Sequence, residues 1–260
     1  MNLLAARVVL RQRSLADTLD LALPFCLANK RPIGVLSLVM LGPIAALLGY
    51  LRIARHWSWP GLWLLWAAGA LVVEGAFTVA LGELLFKPPA DTRVRSWVAR
   101  FLRRLPALLV AIVVRALMVV VTLLILARNT IFIPEAMLLE GASFGKALAR
   151  SRALARNRGG VCFAIWLVRL FLPAFGAIAL DLLLNGVCRY VLQLGYPTGA
   201  LWTDGGSGFA VLGASLAVPL GAAMRFLGYI DLRTRKEGWD IQLRFVALAE
   251  QSALGRRRAA

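Results

Sequence analysis

Five ionisable residues stand inside apolar runs, where a charge is expensive to keep: Glu74, Arg115, Glu135, Arg169 and Asp181. Placing such a residue at the bilayer centre costs roughly 2.5–3.5 kcal/mol, so each needs a partner or water. Two kinds of chemistry answer that need. Carboxylates and guanidiniums can pair between helices and hold a bundle, or they can line a polar pathway for a lipid headgroup or an ion. Spacing narrows the pairing: Arg169 and Asp181 lie twelve residues apart, about 18 Å along one helix, and cannot meet. Glu74 with Arg115 or Arg169 is the expected cross-helix pair, and Glu135 sits nearer the end of its run.

Hydrolytic chemistry is poorly provided for. Metal-assisted phosphodiester hydrolysis needs several histidines and carboxylates around the ion, to polarise the phosphate and deliver water. The chain has one histidine, His56, in the turn "RIARHWSW", where flanking tryptophans suit an interfacial anchor. No P-loop is spelled, and a single histidine excludes H-E-x-x-H. "DGGSG" at 204–208 has no following lysine and reads as a flexible turn. Cys26, Cys162 and Cys188 form no C-x-x-C pair and lie in apolar sequence, as small buried hydrophobes do. The expectation is no catalytic residue, no metal and no cofactor.

The elements that position the charges follow from composition. The chain is 60% hydrophobic yet carries a formal charge of +17. Soluble domains are about 45–50% apolar, whereas a membrane protein can be both greasy and basic by segregating the two. That segregation argues against nucleic acid as the partner. Residues 33–51, 60–86, 161–187 and 208–230 each reach the roughly 20 apolar residues of a membrane span. Residues 106–140 are too long for one span and short for two.

Basic residues settle the expected topology. Segments 1–32, 87–105, 141–160 and 231–260 carry 23 of the 30 lysines and arginines, and 190–207 carries none. The positive-inside rule puts those four segments in the cytoplasm, with both termini. Residues 106–140 must then cross twice, as a short hairpin turning near 122–128, or re-enter. Arg52 and Arg55 fall outside against the rule. The expected fold is all-α and polytopic, with about six membrane segments in one domain over 1–260. An amphipathic segment 1–32 precedes a bundle over 33–230, interrupted by amphipathic linkers 87–105 and 141–160, and a charged segment 231–260 follows. Trp57, Trp59, Tyr190, Tyr196 and Trp202 gather at the outer interface, with Trp97, Tyr229 and Trp239 at the inner one, where amphipathic rings settle.

Three amphipathic stretches complete the cytoplasmic side. Ser14-x-x-Asp17 opens the first like a capping box, with Leu15, Leu19, Ala22 and Cys26 opposite Asp17 and Asp20. The second sets Phe144, Leu148 and Ala155 against Lys146, Arg150, Arg152 and Arg156, and the third is "DIQLRFVALAEQSA". Such helices lie among anionic headgroups or pack on the protein itself. Before the third stretch, "YIDLRTRKEGWD" (229–240) interleaves charges at i,i+4: Asp231 with Arg235, Arg233 with Glu237, Lys236 with Asp240. Each exposed pair adds a few tenths of a kcal/mol. Neutralised charge attracts little lipid, so the motif reads as a knot docking on 143–158, ended by Gly238.

Three stretches together resemble the glycerophosphoryl diester phosphodiesterase membrane-domain family of bacterial integral membrane proteins. They are "RSLADTLDLALPFCLANKRPIG", "FIPEAMLLEGASFGKALARSRALARNRGG" and the closing Tyr229, Asp231, Leu232, Arg233, Arg235, Glu237 and Gly238. The second carries Glu140-Gly141 at the end of a span and Ser151 flanked by Arg150 and Arg152. "GAFTVALGELLF" (75–86) is a weaker likeness. The resemblance implies a polytopic protein of the bacterial inner membrane without the soluble phosphodiesterase domain to which some members are fused. A high arginine-to-lysine ratio, with only four lysines, suits a GC-rich bacterial source. The functional expectation is a non-enzymatic scaffold or regulator of a membrane-associated partner. The alternative is a transporter or lipid-translocating protein using the buried charges. Expected partners are the bilayer with its anionic phospholipids, and a membrane-protein partner or a second copy of the chain.

Overall fold

The computed structural model describes residues 14–86, 94–121, 127–156 and 158–237, and contains no strand among them. Ten α-helices follow in order within those residues: α1 (Leu15–Ala28), α2 (Lys30–Ala54), α3 (Trp59–Phe86), α4 (Val94–Val121), α5 (Ala127–Thr130), α6 (Ile133–Leu139), α7 (Phe144–Ala155), α8 (Gly159–Gly186), α9 (Leu201–Asp204) and α10 (Gly208–Glu237). A five-residue π-helical turn, Val187–Val191, extends α8. Four helices, α2, α3, α8 and α10, are long and apolar enough to cross a membrane.

Residues 106–140 do not form two helices of membrane length among the described residues. One helix, α4, runs straight through Pro106 from Val94 to Val121, joining the basic linker and the apolar run in one rod. Beyond it α5 and α6 have only four and seven residues. Residues 122–126, where the sequence places the hairpin turn, lie outside the described residues.

Two helices are central and two peripheral. Of their most apolar stretches, 61% of α3 and 67% of α10 are buried inside the protein, against 22% of α2 and 17% of α8. The outer faces of α2 and α8 are thus the surfaces that lipid would meet. α8 packs chiefly on α10 and scarcely touches α3. Close approach is possible because Gly176 and Gly213 face each other: a Cβ on Gly176 would stand 2.6 Å from the Gly213 carbonyl oxygen. Small residues at such crossings let backbones gain van der Waals contact where no hydrophobic drive exists between helices.

The amphipathic segments that fall within the described residues fold back on the protein. Ser14 and Asp17 form the expected capping box, each side chain bonding the other's backbone N–H at 3.1 Å. α1 then buries Thr18, Ala22 and Phe25 and lies on α10. α7 buries Ala147, Ser151, Leu154 and Ala155, rotated from the expected face, with Phe144 and Leu148 only partly covered. Trp97 and Tyr229 are fully buried and do not sit in the interface as anchors. Carboxylates take up their polar atoms, so each works as a plug between helices: Trp97 donates to Glu83 at 3.1 Å, and Tyr229 donates to Glu140. The third stretch and Trp239 lie outside the described residues.

Candidate functional site

Four charged side chains from four helices meet inside the bundle. Arg225 of α10 donates through Nε to Glu135 of α6 at 2.6 Å, through Nη1 to Glu74 of α3 at 2.7 Å, and through Nη2 to Thr78 Oγ1 at 3.1 Å. Arg169 of α8 donates from Nε to Glu74 Oε1 at 2.9 Å and pairs with Oε2 through Nη2. The side chains of Arg225 and Glu135 are 1% and 0% exposed, and those of Glu74 and Arg169 are each 10% exposed. Two carboxylates and two guanidiniums sum to zero. Charge-assisted bonds are the strong ones, and the Arg169–Glu74 pair is bidentate as well. Their worth lies less in net stability than in the penalty for losing one member, which leaves a desolvated charge behind.

The sequence signals single out three of the four cluster residues, Glu74, Glu135 and Arg169. Glu74 meets Arg169, one of its two expected partners. Arg115 lies on α4, but its side chain is outside the described ones. Arg225, which bridges both carboxylates, was not among the expected residues. The signal for it exists: "GAAMRFLG" sets an arginine in the apolar run before Tyr229.

Asp181 belongs to a different place. It accepts from Asn185 Nδ2 at 2.9 Å, from the Ser207 hydroxyl, and from the Leu201 backbone N–H at 3.4 Å. Asn185 also donates to the Gly199 carbonyl at 3.2 Å. The cluster therefore ties the 199–207 connection to the end of α8. Among the described residues, no hydrogen bond or ion pair joins Asp181 to Glu74 or Arg169.

The closing motif forms a second charged cluster at the opposite end. Glu140, at the end of α6, accepts from the Tyr229 hydroxyl and pairs with Arg233 at 3.1 Å and Arg150 at 3.4 Å. Lys236 donates to the Ala153 carbonyl of α7, and Arg235 pairs with Asp231 at 2.9 Å within α10. Ser151 is fully buried and accepts from the Phe132 N–H at 3.3 Å, fixing α7 to the turn before α6. Gly141 takes φ +73° beside the Arg104 guanidinium, a conformation that favours glycine. Arg152 is exposed and lines a basic recess with Asn129 and Arg156. The Glu237 side chain and Gly238 lie outside what is described.

A cavity of about 680 Å³ opens between α3 and α8. Its floor is Ala214 and Val218 of α10, Trp202 stands at the end nearest α9, and Glu74 and Arg169 stand at the other end. Trp63 and Trp66 line one wall, in edge contact at 5.8 Å. Their indole N–H groups are used by the protein, on the Gly205 carbonyl and the Ser215 hydroxyl, both at 3.0 Å.

No cluster of histidine, cysteine, aspartate or glutamate with metal-binding geometry occurs among the described residues. Gly141–Gly145 spells G-x-S-x-G, a pattern whose chemistry depends on a strand–turn–helix elbow with a histidine at hand. Here the segment joins two helices, and Ser143 is the exposed N-cap residue of α7. Comparison with known proteins gave no matching family model, curated protein or solved structure.

Proposed function

We propose that this chain is a non-enzymatic integral membrane protein of the bacterial inner membrane that acts as a scaffold or regulator of a membrane-associated partner. The observation that carries this reading is the pairing of the buried charges with one another: Glu74, Glu135, Arg169 and Arg225 meet in one ion-pair cluster, while Asp181 is tied separately. A translocation route would need polar groups in continuous sequence across the bundle. Charges that neutralise one another between four helices instead fix a shape, and a fixed shape is what a scaffold offers.

The basic end, with exposed Arg103, Lys146, Arg152 and Arg156, faces the cytoplasm in this reading and meets anionic phospholipid. The apolar half of α4 with α5 and α6 supplies the hairpin or re-entrant pair that brings the membrane segments to six. The family resemblance belongs to the same proposal, supported by Glu140, Tyr229 and Arg233 meeting in space.

Proteoliposomes containing a fluorescent phospholipid in both leaflets test the reading against its alternative. Dithionite added outside should bleach only the outer leaflet, as in protein-free vesicles. Bleaching that runs to completion in a protein-dependent way would replace the scaffold with a lipid-translocating protein.

A further inference from the structure

We infer that the cavity between α3 and α8 is a binding site for an uncharged lipid with a hydroxyl or carbonyl oxygen at one end, seated with that oxygen on Arg169. Three observations converge on this ligand class. First, the walls are apolar: the two tryptophans that line one side have their N–H groups bonded elsewhere, and Ala70, Ala174 and Ala177 leave the room that larger side chains would fill. A volume of about 680 Å³ lies within the roughly 300–1,000 Å³ typical of ligand sites.

Second, the polar end has a donor to offer. Arg169 uses Nε and Nη2 on Glu74, and its Nη1 makes no hydrogen bond with the described residues. A guanidinium carries five N–H donors, so an incoming oxygen acceptor completes it. Third, charge and depth select against an ionic head. Among the described side chains the four members of the cluster sum to zero, so they offer an anion little net counter-charge. Arg169 also lies ten residues into α8, roughly 15 Å by helical rise, about halfway through a hydrocarbon core of about 30 Å. An ionised head is costly there, and the ester groups of ordinary phospholipids sit much nearer the surface. A lone hydroxyl or carbonyl can reach that depth while its chain lies toward Trp63 and Trp202.

Access is from the bilayer. Ala67 and Leu71 on α3 and Leu170 and Ala174 on α8 form the rim, and all four are exposed. The ligand therefore slides in sideways and crosses no aqueous phase.

The test uses the full chain in nanodiscs with a long-chain alcohol carrying a diazirine beside its hydroxyl. Labelling should map to α3 near Ala70 and α8 near Leu170, saturate, and yield to excess unlabelled alcohol but not to the alkyl sulfate of equal length. Ala174→Trp and Ala67→Phe, each filling the rim from an exposed position, should cut labelling about tenfold, the effect of losing about 1.4 kcal/mol of binding. Leu38→Trp, on the 75% exposed face of α2, should leave it unchanged. Labelling that never saturates and spreads equally over the lipid faces of α2 and α8 would mean bulk lipid only and overturn the proposal. Competition by the sulfate as strong as by the alcohol would overturn the uncharged head.

Discussion

Arg225 serves two carboxylates at once, and that sharing draws Glu74 and Glu135 to a single guanidinium in a buried setting. A mid-span carboxylate announces itself in a hydrophobic sequence, which is why Glu74 and its partner Arg169 were legible. Arg225 was not, because six residues beyond it the chain turns polar at Asp231. From sequence it passes for a residue near the surface. Its depth follows from contacts that only the fold supplies: Arg233 and Tyr229 bond Glu140, so α10 enters protein and not headgroups at that end. Arg233→Gln should therefore lower the melting temperature in detergent by several degrees, from a loss of about 1.5–3 kcal/mol for a charged hydrogen bond. Arg103→Gln, on the exposed face of α4, should not. Equal small shifts would reduce the knot to a solvated stop signal. Cys26 offers a check on α1. Burial pushes its thiol up to about 11, so the reactive thiolate is scarce at neutral pH. In a variant lacking Cys162 and Cys188, its alkylation by iodoacetamide should keep rising with pH toward 11. A midpoint at about pH 8.5, the ordinary thiol value, would show α1 detached from α10.

Among the helices, the α8–α10 contact is the most extensive and depends on glycine. Gly176→Val would drive side-chain atoms into the Gly213 carbonyl, a backbone group that cannot turn aside. The expected loss is about 1–3 kcal/mol, as for other overpacked sites. Gly186→Ala, with open space around its Cβ, should be neutral or slightly stabilising, and comparable losses in both would remove the glycine contact from the account. Span length made α2, α3, α8 and α10 readable, since about 20 apolar residues in a row have few other uses. The path after α4 was harder. Pro106 reads as a boundary, yet the helix continues through it, as helices do when neighbours or local adjustment take up the freed carbonyl. The buried face of α7 was also misplaced: Ser151 and Ala147, small enough for close packing, took the inside, and the larger Phe144 stayed at its edge.

At the scale of the whole molecule, the four long helices put α1, α7 and the end of α10 together at one end, with the α2–α3 turn and residues 199–207 at the other. With the basic end inside, as proposed, a probe at Arg152→Cys in a cysteine-free background should resist labelling from outside intact cells. One at Thr203→Cys should label, and the reverse pattern would invert the orientation. The composition disclosed a membrane bundle, but not that Glu74, Glu135, Arg169 and Arg225 close into one cluster, because that closure depends on which faces of α3, α6, α8 and α10 turn inward. The most direct test of the closure is a double-mutant comparison at Arg225 and Glu135, read as unfolding free energy in detergent. Arg225→Gln alone strands a carboxylate and should cost about 3–5 kcal/mol, as breaking a buried pair does. Adding Glu135→Gln leaves the neutral Glu74–Arg169 pair, so the double variant should be more stable than Arg225→Gln alone. A double variant less stable than Arg225→Gln, with the two losses simply adding, would contradict the account.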